Sequence, residues 1–345
     1  MNGIVIRCDG SGVVGFGHVS RCLSLAEALR EQGVRPTFAM RALDETFVAP
    51  VRAARFPVVL IPHSAPVSDR LGAEDATAVR EAAAASGASA VVVDHYGADE
   101  AYFADLRSSG LGLGVVDDTG ERDLATADWV LNQNLGAEDH ARPRHGRPTL
   151  AGPEYALLRP EFARARERMS RTFAPDDRRV IVTLGGGDVA EATASVLDEL
   201  ESVEMDLDIR VLARRRLQIP RRSRHSLSVL QDPRDVPDHM AWADVSVNAG
   251  GSTSWELACL AVPMVVLSFS PDQEQNAVAL QRERVAVRPR DEGHGGLAQT
   301  VRTLLGDAPL RRGMSSRAAA LVDGKGAGRA ARSLIETFST QRSRA

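Results

Sequence analysis

Short β-branched runs alternate with amphipathic stretches along the first half of the chain, the pattern of a parallel sheet covered on both faces. Apolar runs at 3–8, 35–40, 57–61, 89–94, 112–117 and 129–132 predict strands, and the stretches near 18–32, 44–55, 72–86 and 98–109 predict the helices between them. In the first helix Leu23, Ala26, Leu29 and Arg30 recur at helical spacing, and Gly33 supplies the stop. A polar segment, 133–148, and a proline-flanked segment from Gly152 to Phe162 then read as a stiff link between domains. The alternation resumes with strands predicted at 179–184, 207–212, 227–230, 244–248, 263–267 and 284–287. The expected fold class is therefore α/β, with two doubly wound domains at 1–160 and 175–325. Residues from about 294 to 338 read as helix, broken at Gly306-Asp307 and around Gly324-Lys325-Gly326. This stretch is expected to finish the second domain and to cross back onto the first, leaving 326–345 as a terminal helix and tail.

Length and composition agree with that reading. The 345 residues suffice for two domains with full cores, 43% are apolar and 26% charged. A net charge of −4 gives no reason to expect nucleic acid as a partner. The arginine runs at 214–216 and 221–224 read as solvated loops. Cys8, Cys22 and Cys259 lack metal-ligand spacing, so they read as reduced core residues; neither a metal nor another cofactor is expected. The chain starts directly on a strand and has no apolar run of membrane-spanning length, which predicts a cytoplasmic protein without membrane contact.

Chemistry concentrates where strands hand over to helices. Gly10-Ser-Gly12-Val-Val-Gly15 satisfies G-x-G-x-x-G, but the next strand ends in Arg41 where a ribose-binding acid would stand. An arginine there suits a 2′-phosphate, so an NADP site is one alternative. The same loop runs on through Gly17 to His18, and the partial positive charge of a helix start favours the neutral, proton-accepting imidazole. Asp94, His95 and Tyr96 end one buried strand, and Asp117 and Asp118 end the next. Such positions line the crevice of an open parallel sheet, although Asp118 and Asp99 serve equally well as helix caps. In the second half Gly185-Gly186-Gly187 and Gly250-Gly251-Ser252-Thr253 each end a strand and open a helix, leaving N–H groups for an anion. Glu256, one turn into the second of these helices, can accept hydrogen bonds from ribose hydroxyls.

With these residues in place the chain resembles the UDP-2,4-diacetamido-2,4,6-trideoxy-β-L-altropyranose hydrolases of pseudaminic acid biosynthesis and the related spore-coat polysaccharide proteins. The resemblance runs to about residue 290 and rests on Gly15-Phe-Gly-His18 with Arg21, Asp94-His-Tyr-Gly97, Asp117-Asp-Thr119, Gly152 to Arg159 and the two glycine loops. The second half also resembles the donor domain of the undecaprenyl-N-acetylmuramyl glycosyltransferases, through Gly250 to Glu256 and Asp272-Gln-Glu-Gln-Asn276. The resemblance implies the GT-B architecture, two Rossmann-like domains around a central cleft with the nucleotide on the second. It also implies His18 as the base and Tyr96 in the active site. The family often has Asn-Gln where Asp272-Gln273 stands, a difference that bears on sugar specificity.

The reading is a nucleotide-sugar hydrolase, acting with inversion on a UDP-linked deoxyamino sugar and without metal. His18, Tyr96 and Asp94 are the expected catalytic group. Gly185, Gly186, Gly187, Gly250, Gly251, Ser252, Thr253 and Glu256 are expected to hold the nucleotide; Gly15, Gly17, Arg21, Asp117, Asp272 and Gln273 are expected near the sugar. A GT-B glycosyltransferase with a small-molecule or glycan acceptor needs the same base in the same place and is the rival. Either a monomer or a homodimer fits.

Overall fold

In the computed structural model the described residues are 1–11, 15–41, 44–62, 70–120, 122, 124–137, 149–174, 176–186, 189–214, 217, 223–289 and 296–342. They divide into two units, 1–159 together with 325–345, and 160–324.

In the first unit, strand β1 (Gly3–Cys8) pairs in parallel with β2 (Arg35–Arg41) on one side and β4 (Ala90–Asp94) on the other. With β3 (Val58–Ile61), β5 (Gly112–Val116), β6 (Trp129–Asn132) and β7 (Thr149–Ala151), the sheet order is β3-β2-β1-β4-β5-β6-β7. The direction of winding reverses between β1 and β4, so their carboxyl ends form the crevice where such sheets take ligands. Apart from the buried Arg7, β1 is apolar on both faces because both are covered. Ile4, Ile6 and Cys8 enter one core with helix α1 (Gly17–Glu31), while Val5 enters the other with α3 (Ala73–Ser86) and α4 (Glu100–Ser108).

Local chemistry sets the element ends. Asp44 accepts a hydrogen bond from Thr46 N to cap α2 (Glu45–Ala53), and Asp99 accepts one from Tyr102 N to cap α4. The predicted strands and helices of this half are found within one or two residues. Strand β7 is additional; its three residues are too short to show a period.

The last helix, α12 (Gly326–Arg342), belongs to the first unit. Ala327, Ala330, Ala331, Leu334 and Phe338 share a core with Leu25 and Leu29 of α1. Trp129 Nε1 donates to Ser333 Oγ at 3.2 Å, and the Arg329 guanidinium donates to the Glu154 carbonyl at 2.9 Å.

The second unit repeats the plan. Strands β8 (Arg179–Thr183), β9 (Asp208–Ala213), β10 (Ser226–Gln231), β11 (Val245–Ala249), β12 (Met264–Leu267) and β13 (Ala286–Val287) form a parallel sheet in the order β10-β9-β8-β11-β12-β13. Its switch point lies between β8 and β11. The helices are α5 (Pro160–Arg168), α6 (Ala190–Leu200), α7 (Val236–Trp242), α8 (Thr253–Cys259), α9 (Pro271–Arg282), α10 (Gly296–Gly306) and α11 (Ala308–Leu321).

Two arginines fasten the start and end of this unit to its body. Arg166 on α5 donates to the carbonyls of Cys259, Ala319 and Val322 at 2.8–2.9 Å. Arg311, fully buried, donates to the Ala174 carbonyl at 2.7 Å and to Asp177 at 2.8 Å. The segment read as a link from Gly152 to Phe162 therefore divides near Pro160, where the second unit begins.

Candidate active site

The switch point of the first sheet carries a buried charge cluster. α1 opens directly on the loop after β1, with Phe16 at its N-cap, and so places His18 in its first turn and Arg21 one turn on. Asp94 is the last residue of β4, next to β1. His18 Nδ1 lies 2.6 Å from Asp94 Oδ1, and Arg21 grips the same carboxylate with Nε and Nη2, each at 2.6 Å. The Cys22 thiol adds a fourth contact, donating to Asp94 Oδ2 at 3.4 Å. Burial alone would push the Asp94 carboxyl up, but the charges of Arg21 and His18 and their hydrogen bonds hold it well below the usual carboxylate range. An ionised carboxylate only accepts, so the proton of the neutral imidazole is assigned to Nδ1, and Nε2 keeps the lone pair.

Arg21 reaches further. Its Nη1 donates to Asp118 Oδ2 at 2.7 Å, and the Tyr96 hydroxyl donates to the same oxygen at 3.1 Å. The Tyr96 ring stands edge-on to His18 with centroids 4.7 Å apart. Tyr96 is 42% exposed whereas His18 is 5% exposed, so the solvent-facing edge of this cluster is the phenol.

A second buried cluster lies alongside. Arg7 donates to Asp75 through Nε at 2.9 Å and Nη2 at 2.7 Å, and to Asp9 at 2.9 Å; Tyr102 OH donates to Asp75 at 2.8 Å. His95 accepts from Gly97 N at Nδ1 (2.9 Å) and turns Nε2 toward Asp9 Oδ2 at 3.3 Å. Burial pushes the His95 pKa down, so this imidazole is a neutral tie between β1 and β4 rather than a base.

Arg41, the residue that kept an NADP site open, belongs to this cluster as well. Its backbone N donates to Asp9 at 2.8 Å and its Nε to Asp75 at 3.2 Å. Gly10 is needed for a packing reason, since a Cβ there would sit 2.4 Å from the Phe47 ring. Residues 12–14 lie outside the described residues. The partners of Arg41 and the packing of Gly10 count against the dinucleotide alternative.

Asp117 points away from His18. It accepts from Arg122 Nε at 3.0 Å and from Thr119 Oγ1 at 2.9 Å. The carboxylate that joins the cluster is its neighbour Asp118; the sequence signal was the Asp-Asp pair at a strand end, and sequence alone does not say which of the two turns inward. Gly15 closes the loop before α1, its N–H donating to the Ser11 carbonyl at 2.8 Å, and Gly17 is the first residue of the helix.

The switch point of the second sheet is built differently. Gly185 and Gly186 follow β8, and Gly250 and Gly251 follow β11. The latter turn is held from below: Asn248 Nδ2 donates to the Ala249 carbonyl at 3.0 Å and to Ser254 Oγ at 3.2 Å, and Asn276 Nδ2 donates to the Gly250 carbonyl at 2.6 Å. The two glycines have different reasons to be there. A Cβ on Gly250 would lie 2.5 Å from the Gln273 carbonyl oxygen, whereas one on Gly251 would meet nothing within 4 Å. Close approach to a phosphate therefore explains Gly251 better than Gly250.

Ser252 is the N-cap of α8 and makes no side-chain cap bond, and Thr253 and Glu256 lie in the first turn. Gln273 spends its amide oxygen on Phe269 N at 3.0 Å. Gly187 and the side chain of Asp272 lie outside the described residues. Among the described residues no group of three or more His, Cys, Asp or Glu is placed to hold a metal ion, and no helix is long and apolar enough to cross a membrane.

No protein-family model matches the chain. It is 26% identical over 278 residues to an uncharacterized protein of Methanocaldococcus jannaschii, covering 76% of this chain and 55% of that protein. It is 28% identical over 193 residues to the spore coat polysaccharide biosynthesis protein SpsG of Bacillus subtilis, covering 51% of this chain and 54% of SpsG. The chain thus spans about half the length of the curated relatives it matches.

Solved glycosyltransferases share the fold at low identity. One similar structure is UGT2 of Phytolacca americana, complexed with UDP-2-fluoroglucose and pterostilbene. It has a TM-score of 0.70 and 14% identity, over 99% of both chains. The two parallel-sheet units are those of the GT-B fold.

Proposed function

We propose that the chain is a nucleotide-sugar hydrolase that cleaves a UDP-linked deoxyamino sugar to free sugar and UDP. The observation that carries this reading is the 2.6 Å contact of His18 Nδ1 with the Asp94 carboxylate, from which the tautomer is assigned. With Nδ1–H given to Asp94, Nε2 is an acceptor at the mouth of α1, beside a half-exposed tyrosine. In the reaction Nε2 takes a proton from water as the water oxygen bonds to the anomeric carbon. The bond from that carbon to the diphosphate oxygen breaks with inversion, and UDP leaves with the electron pair.

Asp94 holds the ring and stabilises the imidazolium, as the buried carboxylate does in hydrolase triads. Backbone donors at the helix starts after Gly186 and Gly251 take the charge that develops on the diphosphate, and Glu256 takes the ribose. The SpsG likeness and the GT-B fold support a carbohydrate-biosynthetic role.

Transfer to an acceptor hydroxyl uses the same base and remains the second reading, favoured by the transferases that share the fold. Incubation with UDP-2,4-diacetamido-2,4,6-trideoxy-altropyranose, and separately with UDP-N-acetylglucosamine, in ¹⁸O-labelled water tests both. Release of UDP with ¹⁸O on the anomeric carbon is expected. An intact donor that is consumed only when a glycan acceptor is added would make the enzyme a transferase.

A further inference from the structure

The base sits beside a cation. Arg21 Nη2 is 3.0 Å from His18 Nδ1, and both groups share Asp94 Oδ1. In a triad of His and Asp alone, the carboxylate charge stabilises the proton that the imidazole picks up. Here a buried guanidinium clamps that carboxylate with two hydrogen bonds, so the Arg21–Asp94 pair is close to neutral as seen from the ring. The carboxylate oxygen at 2.6 Å is nearer the ring than the guanidinium at 3.0 Å, but that cation offsets much of the negative charge that would otherwise favour protonation.

We propose that Asp118 is the positioning residue that keeps His18 a competent base, by offsetting the Arg21 charge from its far side. Asp118 Oδ2 accepts from Arg21 Nη1 at 2.7 Å, with side-chain exposures of 14% for Asp118 and 6% for Arg21. The groups facing His18 are Arg21 and Cys22 from its own helix, Asp94 from β4, Tyr96 from the loop after β4, and Asp118 from the segment after β5. Cys22 and Tyr96 are uncharged at neutral pH. The remaining balance is two carboxylates against one guanidinium, an excess of one negative charge that a proton on His18 neutralises.

Asp118 also receives the Tyr96 hydroxyl, so one carboxylate fixes both the charge beside the base and the direction of the phenol. Asp118 feels the charges of Arg21 and of His18, which together keep its carboxyl below the ordinary range against burial and Asp94. Asp118 acts through Arg21 and needs no contact with substrate.

The inference rests on the reading of His18 as the base, yet its test needs no substrate. Protein carrying ¹⁵N-labelled histidine has eight ring systems, and the His18 signal is the one lost in His18→Gln. Asp118→Asn keeps the shape and an acceptor oxygen but removes the charge. Its His18 ring should titrate about half to one pH unit lower than in the wild type, because loss of a nearby negative charge disfavours the imidazolium. Asp118→Glu, which keeps the charge, should bring the midpoint most of the way back. A folded Asp118→Asn protein that titrates like the wild type overturns the proposal. Should that variant not fold, Asp118→Ser against Asp118→Glu gives the same contrast of charge lost and charge kept. Calorimetry of the wild type with UDP runs alongside: no binding of UDP would sink the nucleotide-sugar reading, while the His18 titration still decides the role of Asp118.

Discussion

Both units wind a parallel sheet outward from a central strand, and both place their candidate residues where the winding reverses, yet they furnish that place in opposite ways. At the first switch point side chains do everything: His18, Arg21, Asp94, Asp118 and Tyr96 form one hydrogen-bonded group, and Arg7, Asp9, Arg41, Asp75, Tyr102 and His95 form another. At the second Gly185, Gly186 and Gly251 are only partly buried, and the side chains Asn248, Ser254 and Asn276 serve to hold the turn. The difference teaches that the fold fixes where chemistry can occur and leaves its kind to the residues. A titrating side chain suits proton transfer, whereas fixed N–H dipoles suit an anion whose charge has to be met without reorganisation.

The largest expected effect separates the two roles outright. His18→Ala should lower turnover by about 10²–10⁴, the range for losing a general base, while UDP affinity measured by calorimetry stays nearly constant. Loss of UDP binding with turnover retained would reverse the assignment of the two switch points.

Next come changes in the second unit. Gly250→Ala should cost about 1–3 kcal/mol in denaturant unfolding, because its Cβ meets a main-chain oxygen that cannot step aside. Glu256→Ala should weaken UDP by about 1–3 kcal/mol with stability little changed. Unaltered calorimetric affinity would remove Glu256 from the ribose.

Acid should tell the units apart as well. Asp9, Asp75, Asp94 and Asp118 are all held below the usual carboxylate range by their arginine partners, against burial. The stability they contribute is full above about pH 4 and is lost as pH falls toward their lower folded values. His95 adds an earlier step of the same sign. Its folded pKa is lowered by burial, so the unfolded chain binds the proton first and stability slips below about pH 6.5. Hydrogen exchange followed from pH 7 down to about pH 2 should therefore show β1 and β4 losing protection before β8 and β11; simultaneous loss would remove these clusters as the acid-labile part.

The smallest effect is the most discriminating. Gly251→Ala has open space for its Cβ and should shift stability by less than about 0.5 kcal/mol. Reduced UDP affinity in that variant would show that the open backbone there meets the ligand.

Much of this was legible in the sequence. The period-switching pattern placed strands such as Val245–Ala249 and helices such as Gly17–Glu31 because buried parallel strands and their covering helices have distinct repeats. His18 stood at a helix start and Asp94 and Tyr96 at a strand end, where the crevice had to be. What could not be read is the partnership of charges. Nothing local separates Asp117 from Asp118, and only the path of the chain after β5 turns one toward Arg21 and the other toward Arg122. The sequence does not show that Arg21 is held by two carboxylates, since its reach to both Asp94 and Asp118 depends on how α1 packs. Gly250 was explained by a phosphate because its neighbour in space, the Gln273 carbonyl, lies on a different helix.

The return of α12 onto α1 imposes an order on synthesis. Residues 160–324 form an uninterrupted unit that can close as soon as it leaves the ribosome, whereas the unit begun first needs residues 325–342 to complete its core. Until they emerge, the strip of α1 around Leu25 and Leu29 waits uncovered, so the older half of the polypeptide is the one exposed longest to aggregation and to chaperones. The half-molecule 1–159 made alone should stay insoluble until a peptide spanning 325–342 is supplied in trans.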